Sequence, residues 1–243
     1  MLLTETQARR SRLKERQTWY FREPSSKIRE FLNLLHLPYT AMALSFVALG
    51  SVLSPELHVD RTFAALLAYF LGLGIGAHAL DQLEPAGSHY TSRLSSSDLK
   101  GLAIAGMLGA LAVGSYYIVV LTPLLIPLVG AELFFAFAYP LPSYVAGGRF
   151  HNNLSFAFSW GFLPSLTGYF VNALSLSPLA ILLGSITAAA SWAEIELSRK
   201  ARNARREGAP RGAYESPEAW LKTLVVATCS FALCLALLRA AYT

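Results

Sequence analysis

The chain has 243 residues, of which 54% are apolar and only 14% charged, and its mean hydropathy is +0.43. Soluble domains are about 45–50% apolar and about 25% charged, so the composition excludes a disordered chain and leaves too little charge to cover a water-soluble domain. The net charge of +5 takes its meaning from where the charges lie.

Residues 1–36 carry eight Lys and Arg, from Arg9 to Arg29. No long apolar core precedes a small-residue cleavage site, so they read as a cytoplasmic basic and amphipathic N-terminal segment rather than a signal peptide. Lys27 to Leu35 has the pattern of a helix lying on a membrane surface. Residues 37–243 then form a transmembrane helical domain, with apolar runs at 37–53, 62–80, 101–121, 123–139, 153–172, 178–194 and 219–240. Most reach the roughly 17–25 residues a helix needs to cross a bilayer. They are continuous, whereas strands of a membrane barrel alternate. Residues 101–139 are too long for one crossing, and Thr122, Pro123 and Pro127 mark a hairpin inside them. The expected fold is an all-α integral membrane protein, a multi-helix transmembrane bundle of about seven spans. Cys229 and Cys234 point about 140° apart on a helix, which excludes a disulfide between them. They read as buried apolar filler.

The connections alternate between rich and poor in Lys and Arg. The N-terminal segment and the loops at 81–100, 140–152 and 195–222 hold 18 of the 20 basic residues, leaving only Arg61 and Arg239 for the other side. Basic loops stay in the cytoplasm, so the N-terminus is expected there and the C-terminus outside a cell membrane. The sizeable loops, and therefore a site, face the cytoplasm. The same split explains the net charge. No reading motif or aromatic interleaving accompanies the basic residues, so no nucleic-acid partner is expected; the partner is the lipid bilayer.

Carboxylates near membrane helices are costly and usually functional. Two groups stand at cytoplasmic helix ends: His78, Asp81 and Glu84 in GAHALDQLEP, and Glu194 and Glu196 in SWAEIELSRK. His78 and Asp81, three apart, share a helix face. Carboxylates from two helices at one depth suit Mg²⁺, which keeps waters and phosphate oxygens as its other ligands. A diphosphate held between them would gain charge-assisted contacts from nearby Arg and Lys. Each group also reads as an interfacial carboxylate paired with an adjacent Arg, and each basic residue as an orientation anchor. Glu132, inside the fourth run, reads either as a cavity group or as part of an irregular hairpin. Trp160, Trp192, Phe134, Phe135 and Phe137 read as a tunnel lining or as packing. The glycines of GLGIGA allow close helix approach or room for a substrate. His151, Asn152 and Asn153 read as a helix cap.

Several strings over residues 28–212 resemble the UbiA-type intramembrane prenyltransferases, the 4-hydroxybenzoate polyprenyltransferase-like superfamily. LHLPYT at Leu35–Thr40 is similar to the start of that family's first helix. HALDQLEP followed by SRLSSSDL resembles its first acidic motif and the Arg-containing loop after it. YPLP at Tyr139–Pro142, followed by Arg149, resembles its basic loop after the fourth helix. NLSFAFSWGFLPSLTGY at Asn153–Tyr169 resembles its fifth helix, and AEIELSRKAR lies where the second acidic motif belongs.

The resemblance implies an all-helical UbiA-like fold, usually of nine spans. It implies transfer of an isoprenyl group from a prenyl diphosphate to an aromatic or lipid acceptor, with Mg²⁺. Carried over, it implies Asp81 and Glu194 as catalytic, and Asp81, Glu84, Glu194 and Glu196 as metal ligands. His78, Arg93, Lys100, Tyr139 and Arg149 become substrate-binding. Ala77, His78 and Pro85 stand where the first motif has Asn, Asp and Asp, and Ser198 where the second has a further Asp. With seven runs instead of nine, a second copy or a partner supplying helices is expected. Two other functions remain open: a non-catalytic UbiA fold that binds a prenyl lipid or a partner, and a small transporter using Asp81, His78 and Glu132. The outer half of the runs is nearly free of ionisable groups, which weighs against the transporter.

Overall fold

The computed structural model describes residues 20, 26–85 and 93–242. Most of the basic N-terminal segment and the middle of the 81–100 loop lie outside the described residues. Among the described residues eight helices follow: α1 (Lys27–Leu34), α2 (Leu37–Val52), α3 (Val59–Leu83), α4 (Ser96–Val120), α5 (Pro123–Ala138), α6 (153–173), α7 (Pro178–Arg206) and α8 (Arg211–Tyr242). No strand occurs among the described residues. Four helices, α3, α4, α7 and α8, are long and apolar enough to cross a membrane, and α1 with α2, bent by 49°, makes a fifth if counted as one span. α5 is a shorter apolar helix. This is the construction of an integral membrane protein.

The helix starts follow from local chemistry. Ser26, Asn152 and Ser177 accept the backbone N–H of Arg29, Ser155 and Ala180 respectively, satisfying donors that a first turn leaves open. Ser95 and Asp98 close a reciprocal capping box on α4. Thr122 and Pro123 turn α4 into α5, at the expected hairpin. α1 buries Glu30 and turns Ile28 and Leu32 outward, one above the other on a single face, as an interfacial helix requires.

The bundle is held by close backbone contact. A Cβ added at Gly50 would come 1.9 Å from the Ser165 carbonyl oxygen, and one at Gly168 2.1 Å from that of Val47. Only glycine lets α2 and α6 approach so closely, the usual device for packing helices where lipid offers no hydrophobic drive. The GLGIGA glycines serve the same end: Gly72 faces Ala110, Gly74 faces Thr40 and Gly76 faces Met107, so they pack helices rather than make room beside Asp81.

α8 lies on α2 and α7 through Met42, Phe46, Leu49, Leu221 and Val225. Its start is tied to the end of α7 by a forked Arg205–Glu218 pair, both bonds 2.8 Å. Its last turn reaches the α2–α3 loop, where Arg239 donates to the Pro55 carbonyl at 2.8 Å. α8 therefore runs the full height of the bundle. In the apolar stretches of α4 and α8 only 17% of residues are buried within the protein, which leaves their sides to lipid. Cys234 lies on such an exposed side, so the expectation of burial fails for it, while Cys229 is half-buried and accepts from Ser45. Neither forms a disulfide.

Candidate functional site

A cavity of ≈ 500 Å³ opens at the end of the bundle where α2 and α6 begin and α3, α5 and α7 finish. That is the end carrying the basic loops. Two walls of it differ in chemistry.

The first wall is built by α3. His78 and Asp81, three apart on one helix face, line it together with Glu84, the extended residue that follows the helix. The turn before them, Phe70–Ala77, is π-helical, and so is Phe158–Phe162 in α6, which carries Trp160. Such wide turns shift the phase of everything after them and recur at functional sites. Here they bring the His78 ring 5.1 Å from that of Trp160. His36, at the bend between α1 and α2, has left-handed backbone (φ 43), uncommon for a residue with a side chain. Its ring stacks on His78 at 4.6 Å and 13°, and Tyr20 bonds its Nδ1 at 3.0 Å. Phe156, stacked on Trp160 at 5.3 Å, and Tyr39 extend this aromatic lining. Glu84 is buried, and its carboxylate accepts both the hydroxyl and the backbone N–H of Ser143.

The second wall is α7. Ile195, Arg199, Arg202 and Arg206 line the cavity, recurring every three or four residues along one face. Tyr139 and His36 line the same cavity as Arg199 and Arg202. The two acids of α7 face elsewhere. Glu194 is 1% exposed and does not line the cavity. It shares a flank with Ser198, to which the Tyr39 hydroxyl donates, and its Oε1 has no protein partner. Glu196 accepts from Asn153 Nδ2 at 2.8 Å and lies 3.7 Å from Lys200.

Of the expected site residues, Asp81, Glu84, His78 and Tyr139 come together at the cavity, while Glu194, Glu196, Arg93, Lys100 and Arg149 do not line it. Arg93, Lys100 and Arg149 are exposed. The 93–94 turn is instead tied to α1, since the backbone N–H groups of Arg93 and Leu94 donate to Glu30 at 2.7 and 3.2 Å. Phe135 and Trp160 line the cavity, whereas Phe134, Phe137 and Trp192 are exposed. Asn152 caps α6 as expected. Glu132 lies in neither wall: it takes a bond from Tyr69, which also reaches Thr167 at 3.0 Å, in a separate apolar crevice of ≈ 100 Å³.

Among the described residues no three His, Cys, Asp or Glu are grouped to hold a metal. A cage between two helices needs carboxylates from both, and α7 offers guanidiniums. Arg199, Arg202 and Arg206 are the residues that sequence reading assigned only to orientation. Their i, i+3, i+7 spacing, in register with Ile195, was the available signal. The His36–His78 stack had none, because it depends on a backbone bend. No protein-family profile, curated protein or solved structure matches the chain.

Proposed function

We propose that this chain is a UbiA-like membrane prenyltransferase of about seven spans, moving an isoprenyl group from a prenyl diphosphate to an aromatic or lipid acceptor at the cytoplasmic end of the bundle. The observation that carries the reading is the two-sided cavity: guanidiniums on α7 and stacked rings on α2, α3 and α6 around one space. That combination suits an amphiphile with a multiply charged anionic head and an unsaturated chain. Guanidiniums meet phosphate oxygens with forked, charge-assisted bonds. Ring faces stabilise a neighbouring cation.

The chemistry follows from those two walls. The allylic C1–O bond breaks, and its electron pair leaves on the diphosphate, where Arg199 and Arg202 meet the growing charge. The carbocation left at C1 lies against the rings of His36, His78 and Trp160. The acceptor's nucleophilic atom forms the new bond to C1, and its proton passes to the Asp81 carboxylate.

Purified protein in detergent, given farnesyl diphosphate and a phenolic acceptor, is expected to release pyrophosphate. Asp81→Asn should slow that release by about 10²–10⁴-fold, the usual range for a lost general base, while leaving substrate binding intact. Turnover unchanged in Asp81→Asn would remove this assignment. The turning of Glu194 and Glu196 away from the cavity favours a second reading, a fold that binds a prenyl lipid without reacting it. Tight binding of farnesyl diphosphate with no pyrophosphate release in any acceptor mixture would establish that one instead.

A further inference from the structure

We propose that the crevice at Glu132 is a second binding site, which takes an amine carrying a narrow apolar chain and seats the ammonium on the Glu132 carboxylate. This site stands apart from the prenyl-diphosphate reading, since the crevice and the cavity share no lining residue.

The crevice lies between α3, α4, α5 and α6. On α3 its lining extends from Arg61 to Leu73, a length of about 18 Å. Ala64 and Ala68, four apart on one face, leave a trough along that wall, and Met107, Val113, Leu125 and Val129 close it with alkyl groups. The volume is ≈ 100 Å³. A dry alkyl-lined cavity of about 150 Å³ takes a single benzene ring, so this space takes one narrow chain and excludes fused rings.

Three polar groups meet in this apolar setting. Tyr69 has a single proton, which its bond to Glu132 uses, so the proton in its 3.0 Å contact with Thr167 comes from the Thr167 hydroxyl. Acceptor capacity is what remains. The second carboxyl oxygen of Glu132 takes no hydrogen bond among the described residues, and the Thr167 oxygen keeps its lone pairs. Both residues are half-buried and line the crevice. Glu132 also makes no ion pair among the described residues. An acid inside a membrane bundle is costly, and one use of it is as the counter-ion of a ligand.

An ammonium supplies what the crevice lacks. It has donors and no acceptor, it makes a charge-assisted bond to the carboxylate, and the filled crevice is then neutral at that point. An alcohol would meet the acceptors and leave the charge uncancelled. Arg61 lines the same crevice, but it lies about 12 Å from Tyr69 along α3, and its Nη1 donates to the Val171 carbonyl at 3.3 Å. A lipid anion seated on Arg61 would have to lay its apolar chain across the Glu132 carboxylate.

The test is saturable binding of labelled octylamine, octanol and octanoate to the full chain in phosphatidylcholine nanodiscs, with uptake by empty nanodiscs subtracted. Octylamine is expected to bind about tenfold or more tightly than the other two, the scale of one charge-assisted bond. Glu132→Gln keeps the shape and removes the charge, so it is expected to weaken octylamine roughly tenfold or more and to close the gap to octanol. Ala68→Leu fills the trough and leaves the three polar groups in place, and it is expected to weaken octylamine as well. Octanol binding as tightly as octylamine overturns the proposal and reduces the crevice to an apolar slot. Octanoate binding most tightly, and losing affinity in Arg61→Gln, overturns it in favour of an anion at Arg61. No saturable binding of any of the three overturns it outright. The comparison of the three ligands needs no variant, so a misfolded mutant does not spoil it. None of them carries a phosphate, so each outcome leaves the prenyl-diphosphate reading where it stands.

Discussion

The ends of α3 and α7 both line one cavity and do different work there. α3 has Asp81 and Glu84 at its very end, whereas Glu194 and Glu196 lie about three turns before the end of α7 at Arg206. At α3 the acids Asp81 and Glu84 face inward. At α7 the acids Glu194 and Glu196 turn away and the arginines face inward. Helical phase makes the difference. On α7 the flank holding Glu194 and Ser198 is taken up by packing, with the Tyr39 hydroxyl on Ser198, and about 100° per residue then carries Arg199 and Arg202 round to the cavity. A bundle end with acid on one wall and guanidinium on the other can hold an anion and still receive a proton.

The comparison breaks first at Arg199. Arg199→Glu removes one guanidinium and adds a repelling charge, so pyrophosphate affinity should fall about 100-fold, near 3 kcal/mol. Equilibrium dialysis of labelled pyrophosphate reads this, and a loss below threefold would mean that the α7 wall is not the anion wall. Next is the seam that holds the two walls at their spacing. Gly168→Ala places a Cβ against the Val47 carbonyl, 2.1 Å away before relaxation, and should cost about 1–3 kcal/mol as overpacking. The detergent-solubilised protein should then unfold at a lower temperature.

A smaller effect sharpens the contrast between the acids. Glu194 is buried with an oxygen lacking a protein partner, and a buried unsatisfied acceptor costs about 1–3 kcal/mol. Glu194→Leu should therefore raise the unfolding temperature, by an amount equivalent to about 1 kcal/mol, without changing pyrophosphate affinity. A loss of affinity would return Glu194 to the site.

The helices were legible because apolar runs of membrane length and capping residues such as Ser95 and Asn152 are local signals. The end of the bundle holding the cavity was legible too, because the basic loops alternate along the chain and the site gathers at the rich end. Asp81 and Tyr139 could be placed at that end because each stands at a helix end. The facing of Glu194 was not legible, since the phase of α7 is set by partners as distant in sequence as Tyr39. Nor was the His36–His78 stack, which needs a left-handed residue between α1 and α2 and π-helical turns in α3 and α6. Glu132, readable two ways from its position, found its partner in Tyr69 on α3, a contact between two helices that neither run foretells.

Lys200 supplies the finest test, because it differs from Arg199 by one position and carries the same charge. If α7 attracted anions simply by ending in a basic patch, the two residues would matter equally. Helical phase predicts otherwise: Lys200 is turned about 100° from Arg199, its side chain is 63% exposed, and it lies 3.7 Å from Glu196. An exposed pair of this kind contributes roughly 0–1 kcal/mol, and a charge pointing into solvent is largely screened beyond about 8 Å at physiological salt. Lys200→Glu should change pyrophosphate affinity by less than about twofold, against the hundredfold expected at Arg199. Equal losses at both positions would reduce the arginine wall to unspecific surface charge. A wide gap between them, holding as salt is raised, would tie the anion to the face of α7 that lines the cavity.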